Sequence, residues 1–550
     1  MSIMPTIGHV PLTLDGFLRY AATIHPNGEI VSARPDGTRD RYGYRDLWRR
    51  SRCLARALVG LGLKKGERVG TLMWNHQAHL EAHFGVPAAG GVLHPLNIRL
   101  HPGGIADLIE HAETRLFLVD DVLRLLYQKV SKMIAPHRVV FLSYGGEQPS
   151  RDYDDYEALL AANDDDTPLP PIDETDAALI CYTGGTTGRP KGVVYPHRAL
   201  VLHSFAMALP NVFAISSVDV VAAVAPMFHI SGWTLPFTAT LAGAKQVLCG
   251  TQTRADILLD LFESEQVTFA AAVPTVLHGI LEALNAHPVR WKLSPRLRLM
   301  IGGTAPSTAL IAGLRRHSIE IIQTWGMTET TASATVSQIT GDLEKLSEDD
   351  KAKTLAKQGV PVPFIEMRIV KDGNEMPWDG VTGGELQLRG PWVTSQYHKW
   401  SSGEGAFSED GWLRTADVAV IEPNGCLKLL DRSCDLIKSG GEWISSISLE
   451  NALMEHPAVV AAVVVAYPHP KWQERPIAFI IARPGTTPSD KELTTFLEPK
   501  FAKWWLPDAF KFVDDIPRTS TGKWDRVKLR AETKEFRFIS LLGSKMASRA

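Results

Sequence analysis

Several features that mark common protein classes are scarce in this sequence. Only five of its 550 residues are cysteines, and their spacing does not fit a metal site. The net charge of -3 and the pI near 6.7 come without a basic stripe for nucleic acid. No apolar run reaches the roughly 18 to 20 residues of a membrane span, and the N-terminus lacks a secretory signal pattern. We therefore predict a soluble, cytoplasmic protein with reduced thiols, no nucleic-acid partner and no transmembrane segment.

Two common nucleotide-binding motifs are missing as well. The chain contains no Gly-x-x-x-x-Gly-Lys-[Ser/Thr] loop, and its most Gly-rich stretch is not a Gly-x-Gly-x-x-Gly motif. That stretch, residues 182–192, follows an apolar, strand-like run and contains four glycines, three threonines and Lys191. Glycines let backbone amides approach an anion, hydroxyls add donors, and the lysine supplies positive charge. The stretch therefore predicts a cradle for a polyphosphate.

The rest of the chain predicts an α/β protein of several domains. Its length exceeds what a single core supports, so two to four domains are expected. Helix-like segments alternate with short apolar runs over residues 12–173 and 177–370, as in doubly wound sheets. Residues 384–390 and 417–431 indicate a smaller β-rich subdomain, and the pattern after Arg432 indicates a compact α+β domain.

Three further motifs follow predicted buried strands. They are residues 226–229, 302–305 and 324–329. Ligands of doubly wound sheets gather at the carboxyl ends of the strands, so the three motifs are expected to meet in one cleft. Glu329, at the end of the third motif, is a candidate ligand for Mg²⁺ beside nucleotide phosphates.

Residues 182–192 resemble the phosphate-binding signature of the adenylate-forming superfamily, which contains acyl-CoA synthetases, adenylation domains of peptide synthetases and firefly-type luciferases. Residues 438–446 and 469–476 look most like medium- and long-chain fatty-acyl-CoA synthetases. The resemblance implies a large N-terminal AMP-binding domain over residues 1–432. It also implies a small, mobile C-terminal domain over residues 433–550 that rotates between two half-reactions, with ATP, Mg²⁺ and coenzyme A as cofactors.

The resemblance also implies a nucleotide site. In the family, the residues that match Thr183 and Glu329 bind Mg²⁺, those that match Trp325 and residues 303–306 hold adenine, and the one that matches Asp417 accepts hydrogen bonds from the ribose. The nucleotide-binding residues implied in this way are Thr183, Gly184, Gly185, Thr186, Thr187, Gly188, Lys191, Gly303, Thr304, Ala305, Thr324, Trp325, Gly326, Met327, Thr328, Asp417 and Arg432.

Catalysis is expected from Lys523, together with Glu329 and Thr183. Lys523 matches the family lysine whose charge stabilises the pentavalent phosphate and the developing acyl phosphate. A charge placed in this way is worth about 3 to 4 kcal/mol, or about 10² to 10³ in rate. Cys434 occupies the position of the hinge between the two domains.

The acid and the thiol substrate are expected to use a further group of residues. Trp233 matches the aromatic gate of the family's acid tunnel, with His229 at the carboxylate end. The segment that starts at Lys438 matches the one that lines the pantetheine tunnel in the second step. The implied acyl-binding and CoA-binding residues are His229, Trp233, Gly302, Lys438, Gly440, Gly441, Glu442 and Trp443.

Three positions and one short segment depart from the usual pattern of the family. Gly184 stands where Ser or Thr is common, Ala416 replaces the glycine of Thr-Gly-Asp, and Cys434 replaces a hinge Asp or Lys. Residues 330–332 replace the Ser-Pro that often follows the glutamate. Losing one donor costs about 0.5 to 1.5 kcal/mol, so we expect a slower reaction rather than none.

The main hypothesis is a ligase that forms an acyl-AMP and pyrophosphate from an acid and ATP, and then passes the acyl group to CoA. One alternative is an enzyme of the second step alone, which takes a preformed acyl-adenylate from a separate adenylating enzyme. A less favoured alternative is a non-catalytic AMP-binding or acyl-binding module. Medium- and long-chain fatty acids are the default substrates, although a bulky or cyclic acid of specialised metabolism stays open, and a homodimer is one expectation.

Overall fold

The structure is a computed structural model that describes residues 8–135, 137–147, 153–183, 190–399, 405–432, 434–439, 442–519 and 523–533. Its α-helices are α1 (Leu14–Ile24), α2 (Tyr44–Gly60), α3 (Gln77–Ala88), α4 (Pro102–Ala112), α5 (Arg124–Ser131), α6 (Tyr156–Ala162), α7 (His197–Ala208), α8 (Ile230–Trp233), α9 (Leu235–Ala242), α10 (Ala255–Glu265), α11 (Pro274–Ala286), α12 (Thr308–Arg316), α13 (Glu348–Leu355), α14 (Ser446–Met454), α15 (Asp490–Leu497) and α16 (Arg526–Thr533).

The strands of the first half of the chain are β1 (Glu29–Ala33), β2 (Arg39–Gly43), β3 (Arg68–Leu72), β4 (Val92–Pro95), β5 (Leu116–Asp120), β6 (Arg138–Leu142), β7 (Asp154–Asp155), β8 (Ala177–Tyr182), β9 (Gly192–Pro196), β10 (Val220–Ala223), β11 (Lys245–Leu248) and β12 (Phe269–Ala272). Those of the second half are β13 (Arg298–Ile301), β14 (Glu320–Trp325), β15 (Thr335–Ser337), β16 (Val360–Pro361), β17 (Glu366–Lys371), β18 (Asn374–Glu375), β19 (Gly384–Arg389), β20 (Leu413–Ile421), β21 (Leu427–Arg432), β22 (Ile437–Ser439), β23 (Glu442–Ile444), β24 (Val459–His469), β25 (Gln473–Ala482) and β26 (Ala509–Phe512).

Two large sheets form the N-terminal domain. The first has seven strands in the order β7-β6-β5-β3-β4-β8-β9, and the second has nine in the order β16-β15-β14-β13-β12-β10-β11-β1-β2. Most strands of both sheets pair in parallel, whereas the pairs β8–β9, β1–β2, β14–β15 and β15–β16 near the edges are antiparallel. Helices cover the sheets because parallel strands buried on both faces need apolar partners on each side.

The division of strands between the two sheets differs from the division expected along the sequence. The sequence pattern predicts one doubly wound region over residues 12–173 and a second over residues 177–370. The structure instead places β1 and β2 in the second sheet, through the parallel pair β1–β11. Conversely, β8 and β9 complete the first sheet through the pair β4–β8. The two sheets are therefore interleaved in sequence, and the Gly-rich stretch connects the last two strands of the first one.

Two smaller sheets follow. Strands β18-β17-β19-β20-β21 form the β-rich subdomain that the sequence predicts. Strands β23-β22-β25-β24, with β26 beside β25, form the sheet of a small α+β domain with α14, α15 and α16. The predicted fold class is thus confirmed: a large α/β domain with a β-rich subdomain precedes a small α+β domain. No helix in the described parts of the chain has both the length and the apolar character needed to cross a membrane.

Candidate active site

The motif-bearing strands lie side by side in the nine-stranded sheet. Strands β10, β12, β13 and β14 are consecutive neighbours and run parallel. Their carboxyl ends therefore share one edge, and residues 226–229 and 302–305 follow β10 and β13, while residues 324–329 begin within β14. The convergence that the sequence predicts is present.

The base of the Gly-rich stretch is closed by two hydrogen bonds. The Thr183 amide donates to the Lys191 carbonyl at 2.9 Å, and the Lys191 amide donates to Thr183 Oγ1 at 3.0 Å. The ammonium group of Lys191 lies 4.9 Å from the ring centre of Tyr397. The predicted phosphate-binding residues between these two ends lie outside the described residues; they are Gly184, Gly185, Thr186, Thr187 and Gly188.

Glu329 is buried and held by groups from two other segments. The Tyr397 hydroxyl donates to Glu329 Oε1 at 2.7 Å, and the Thr394 amide donates to the Glu329 carbonyl at 2.8 Å. The Tyr195 hydroxyl of β9 donates to the carbonyl of Thr328 at 2.6 Å. Tyr397 thus contacts both Lys191 and Glu329, so one side chain links this carboxylate to the end of the predicted phosphate-binding stretch.

The two side chains predicted to bind Mg²⁺ have suitable chemistry. Thr183 and Glu329 offer a hydroxyl and a carboxylate, the hard oxygen donors that Mg²⁺ prefers. No group of three or more His, Cys, Asp and Glu that could hold a metal occurs within the described residues.

Lys523 of the small domain enters the same cleft. Its Cε atom lies 3.9 Å from the position that a Cβ on Gly303 would occupy. Desolvation in the cleft, followed by the positive charge of Arg432, lowers the pKa of Lys523 to about 8, although Asp417 and Glu329 oppose the shift. The structure therefore brings the predicted catalytic lysine together with predicted nucleotide-binding residues.

Asp417 and Arg432 face each other across β20 and β21. Arg432 Nε lies 3.4 Å from Asp417 Oδ1, and the two residues are paired in the sheet. Burial raises the pKa of the Asp417 carboxyl, while the charges of Arg432 and Lys523 and a hydrogen bond from the Trp325 side chain lower it. Trp325 thus contributes a donor to Asp417 in addition to the aromatic face expected from the sequence.

The turn after β14 needs its glycine and its hydroxyls. A Cβ on Gly326 would lie 1.8 Å from the carbonyl oxygen of Ala332, so no other residue fits. Thr330 Oγ1 accepts a hydrogen bond from the Met327 amide at 2.9 Å, and Thr331 Oγ1 donates to the carbonyl of Trp392 at 2.7 Å. The residues that replace Ser-Pro therefore fix the turn that carries Glu329.

Trp233, the predicted gate of the acid tunnel, packs against two glycines at the end of β13. A Cβ on Gly302 would lie 3.3 Å from Trp233 Cζ3 and 3.2 Å from Thr324 Cγ2. A Cβ on Gly303 would lie 3.8 Å from Trp233 Cζ2. The indole therefore lies against bare backbone at the end of β13, and His229 four residues earlier has a pKa lowered to about 4 by burial and by Lys523 and Arg99.

The backbone of this segment is unusual. Ile230, Ser231, Gly232, Trp233 and Thr234 have positive φ angles of 36°, 38°, 64°, 57° and 59°. Left-handed backbone costs a non-glycine residue about 1 to 2 kcal/mol, so α8 is a left-handed turn that its surroundings must hold. The segment that carries the predicted gate is locally strained.

The predicted CoA segment lies on the hairpin β22–β23 of the small domain. Lys438 and Trp443 are opposite each other in this pair, with the Lys438 ammonium 5.0 Å from the indole centre. Trp443 is 49% exposed, so it is at the surface here. Gly440 and Gly441 lie outside the described residues, and for Glu442 the structure gives only its backbone pairing with Ser439.

Comparisons with known proteins agree with this geometry. The AMP-binding enzyme family matches residues 18–398, and the C-terminal domain of AMP-binding enzymes matches residues 448–523. The chain belongs to the AMP-binding enzyme family. A long-chain-fatty-acid–CoA ligase of Thermus thermophilus is 44% identical over 530 residues, covering 96% of both chains.

Two other relatives of this AMP-binding enzyme act on different acids. A 3-methylmercaptopropionyl-CoA ligase of Ruegeria lacuscaerulensis is 38% identical over 96% of this chain and 98% of its own. A medium-chain-fatty-acid–CoA ligase of Ectopseudomonas oleovorans is 36% identical over 94% and 95%. Among solved structures, an anthranilate CoA ligase in complex with anthranoyl-AMP has the same fold, with a TM-score of 0.84 and 24% identity over 96% of this chain and 98% of that one.

The structure of this AMP-binding enzyme accounts for one departure from the pattern. Ala416 has a φ of +58° and lies where the β19–β20 register shifts between Glu385 and Gln387. A β-bulge of this kind favours glycine, and the alanine adopts the same left-handed conformation at a cost. Asp417 consequently keeps its place beside Arg432.

Cys434 is exposed, and its carbonyl accepts a hydrogen bond from Arg530 at 3.3 Å.

Asn75 supports the candidate site of this AMP-binding enzyme, although no sequence pattern indicates it. It follows β3 in the first sheet, is buried, and donates through Nδ2 to the carbonyls of Ala223 at 2.9 Å and Ala225 at 2.8 Å. Its Oδ1 accepts from the Met227 amide at 2.8 Å, and its carbonyl accepts from the Gly250 amide at 2.8 Å. An asparagine outside any motif gave no signal, yet it joins the first sheet to the segment that leads to His229.

Proposed function

We propose that this protein is an acyl-CoA ligase that works in two steps. In the first, the carboxylate of the acid attacks the α-phosphorus of ATP, giving an acyl-AMP and pyrophosphate. In the second, the CoA sulfur attacks the acyl carbon, the bond to AMP breaks and AMP leaves. The observation that carries the proposal is the position of Lys523. This lysine of the small domain lies in the cleft, beside Gly303 and within the electrostatic reach of Asp417, Arg432 and Glu329.

The first step uses charges that are already in place. Lys523 and Arg432 add positive charge where the pentavalent phosphate and the leaving pyrophosphate develop negative charge. Asp417 accepts hydrogen bonds from the ribose hydroxyls, and Lys191 with Thr183 binds the terminal phosphates. Glu329 and Thr183 would hold Mg²⁺, which would neutralise part of the phosphate charge. The nucleotide base lies between Trp325 and residues 303–305.

The acid site is proposed at His229, Trp233 and Gly302. Its carboxylate end is at His229, near Lys523, and its apolar part extends past Trp233. Medium- and long-chain fatty acids are the proposed substrates, supported by the relatives in Thermus and Ectopseudomonas. The Ruegeria relative, which takes a short thioether acid, makes a short branched or substituted acid the competing class.

The second step requires the small domain to turn. We propose domains over residues 1–432 and 433–550, with the hinge at Cys434, and a rotation that replaces Lys523 by the segment Lys438, Gly440, Gly441, Glu442 and Trp443. The exposed position of Trp443 in the present orientation supports this. We also propose a cytoplasmic location, supported by five unpaired cysteines, and a homodimer as the assembly to test by ultracentrifugation.

The test separates the two steps. Purified protein with ATP, Mg²⁺ and acids from butyrate to palmitate is assayed for pyrophosphate, and protein with synthetic acyl-AMPs and CoA is assayed for thioester. A ligase gives both products with the same acid. Thioester without pyrophosphate would replace the proposal by the one-step alternative with a separate adenylating enzyme. AMP binding without either product would leave only a binding module.

A further inference from the structure

Asp431 is a buried carboxylate that is not among the predicted site residues. It precedes Arg432 in β21, and adjacent residues of a strand point to opposite faces. Arg432 turns toward Asp417 and the nucleotide cleft. Asp431, only 3% exposed, therefore turns away from that cleft and toward the small domain.

Asp431 and its neighbour bind the beginning of α14. Asp431 Oδ2 accepts a hydrogen bond from the Ser446 amide at 2.7 Å, while its Oδ1 accepts from the Arg432 amide at 2.9 Å. The Ser445 hydroxyl, which caps α14, donates to the carbonyl of Leu430. A carboxylate at the first turn of a helix is favourable because the unpaired amides there carry partial positive charge.

The same contact reaches the helix that follows Lys523. Arg526, three residues after the lysine, donates to the Ser446 hydroxyl and to the Val464 carbonyl, each at 2.9 Å. It also donates to Glu450 of α14 at 2.7 Å, and its positive charge acts on the Asp431 carboxyl. One continuous set of contacts therefore runs from β21 through the start of α14 to the beginning of α16.

These contacts depend on how the two domains are oriented. Leu430 and Asp431 precede the connection at Cys434, whereas Ser445, Ser446 and Arg526 follow it. A rotation about that connection moves one side and leaves the other in place, so the hydrogen bonds to α14 exist only in orientations close to this one. In this orientation Lys523 lies in the cleft.

We infer that Asp431 is a positioning residue for the first half-reaction: by binding the start of α14 it favours the orientation in which Lys523 reaches the nucleotide. The inference rests on the proposed two-step function. A residue of this kind speeds acyl-AMP formation without touching the substrate, and it has to be released before the second step. Its removal should consequently affect the two half-reactions unequally.

The first experiment compares Asp431→Ala and Asp431→Asn with Asp508→Asn as the matched control. Asp508 forms its ion pair with Arg475 and its bond to Tyr467 inside the small domain, so its loss loosens that domain without touching β21. For Asp431→Ala we expect pyrophosphate release to slow about tenfold, the usual effect of losing a hydrogen bond to a buried charge, while thioester formation from acyl-AMP is unchanged or faster.

For Asp431→Asn, which keeps one acceptor oxygen, a smaller loss is expected, and for Asp508→Asn an equal effect on both steps. Equal slowing of both steps by Asp431→Ala would overturn the inference, because it would show that Asp431 only stabilises the fold.

A second readout does not depend on turnover. Thr308 of α12 and Glu455 at the end of α14 approach each other across the two domains, with 3.4 Å between Oγ1 and Oε1. With Thr308→Cys and Glu455→Cys in place, a short bifunctional thiol reagent joins them only in this orientation, and mass spectrometry identifies the joined peptide. Asp431→Ala should lower the crosslinked fraction of AMP-bound protein, whereas Asp508→Asn should not.

An unchanged crosslinked fraction in Asp431→Ala would overturn the inference. The two failures can be told apart, since a protein that makes neither pyrophosphate nor thioester would refute the proposed function while crosslinking still decides the role of Asp431.

Discussion

Replacing Asn75 tests whether the first sheet sets the position of the acid site. In Asn75→Ala the carbonyls of Ala223 and Ala225 and the amide of Met227 lose their side-chain partner. In Asn75→Asp the amide of Met227 keeps an acceptor, but a carboxylate oxygen faces the two carbonyls. The main-chain bond from Gly250 to the Asn75 carbonyl is available in both variants.

The magnitude follows from these three groups. A net hydrogen bond contributes about 0.5 to 1.5 kcal/mol, and a buried group left without a partner costs about 1 to 3 kcal/mol. Because water fills part of the space left by Asn75→Ala, we expect the free energy of unfolding to fall by about 2 to 4 kcal/mol. Asn75→Asp should cost more, because a buried carboxylate beside carbonyl oxygens is repelled as well as desolvated.

The effect of Asn75→Ala on activity should appear mainly as weaker binding of the acid. The segment that begins at Met227 leads to His229 and Trp233, so its displacement should raise the KM for the acid about tenfold or more, which corresponds to about 1.4 kcal/mol. The KM for ATP should stay close to its normal value, since Asp417 and Trp325 lie on other strands. Steady-state kinetics with each substrate varied in turn, together with a thermal melt, make the measurement.

Asn163→Ala serves as the control, because Asn163 donates one bond to the Leu159 carbonyl at the end of a peripheral helix. The reasoning would be refuted if Asn75→Ala lowered the melting temperature while leaving both KM values unchanged, since Asn75 would then only stabilise the fold.

Three further outcomes are expected. Lys523→Met should slow pyrophosphate release about 10² to 10³-fold and leave thioester formation from acyl-AMP intact; parallel loss of both would argue against a role in the first step alone. Because the charged form of Lys523 is the active one and its pKa is lowered to about 8, kcat/KM of the first step should fall as the pH rises above that value. In Lys523→Arg, whose guanidinium stays charged, the fall should disappear, and an identical profile in both proteins would contradict the assignment. Ala416→Gly should raise the free energy of unfolding by about 0.5 to 1 kcal/mol, because relief of left-handed strain exceeds the added freedom of the unfolded chain; a lower melting temperature would count against it.

The fold class and the cleft could be predicted because their signals are local. Residues 44–61 have the apolar spacing of a helix and residues 296–301 that of a buried strand, and the structure has Tyr44–Gly60 as α2 and Arg298–Ile301 as β13. Apolar spacing determines such elements from within the segment. The convergence of the strand-end motifs could also be predicted, because neighbouring parallel strands place their carboxyl ends on one edge of the sheet.

The interleaved sheets and the supporting residues could not be predicted, because their signals come from distant partners. The pairing of Ile30 with Gln246 depends on residues more than two hundred positions apart. Tyr397 holds Glu329 from a segment that contains no motif. Helix α14 begins at Ser446 because Ser445 caps it, and the same hydroxyl donates to the Leu430 carbonyl. A contact of this kind between domains leaves no mark in a local sequence pattern.

The interleaving of the two large sheets bears on how the chain folds during synthesis. Strands β1 and β2 leave the ribosome early, but β1 lies beside β11 at residues 245–248. Its neighbour in the sheet therefore does not exist until about two hundred further residues have been made, a wait of about 10 to 40 s at synthesis rates of about 5 to 20 residues per second. Pairings between such distant segments form slowly, and until then an unpaired hairpin edge is open to other chains. The need for chaperones should therefore be greatest for nascent chains shorter than about 250 residues. At that length neither the cleft nor the small domain has been assembled.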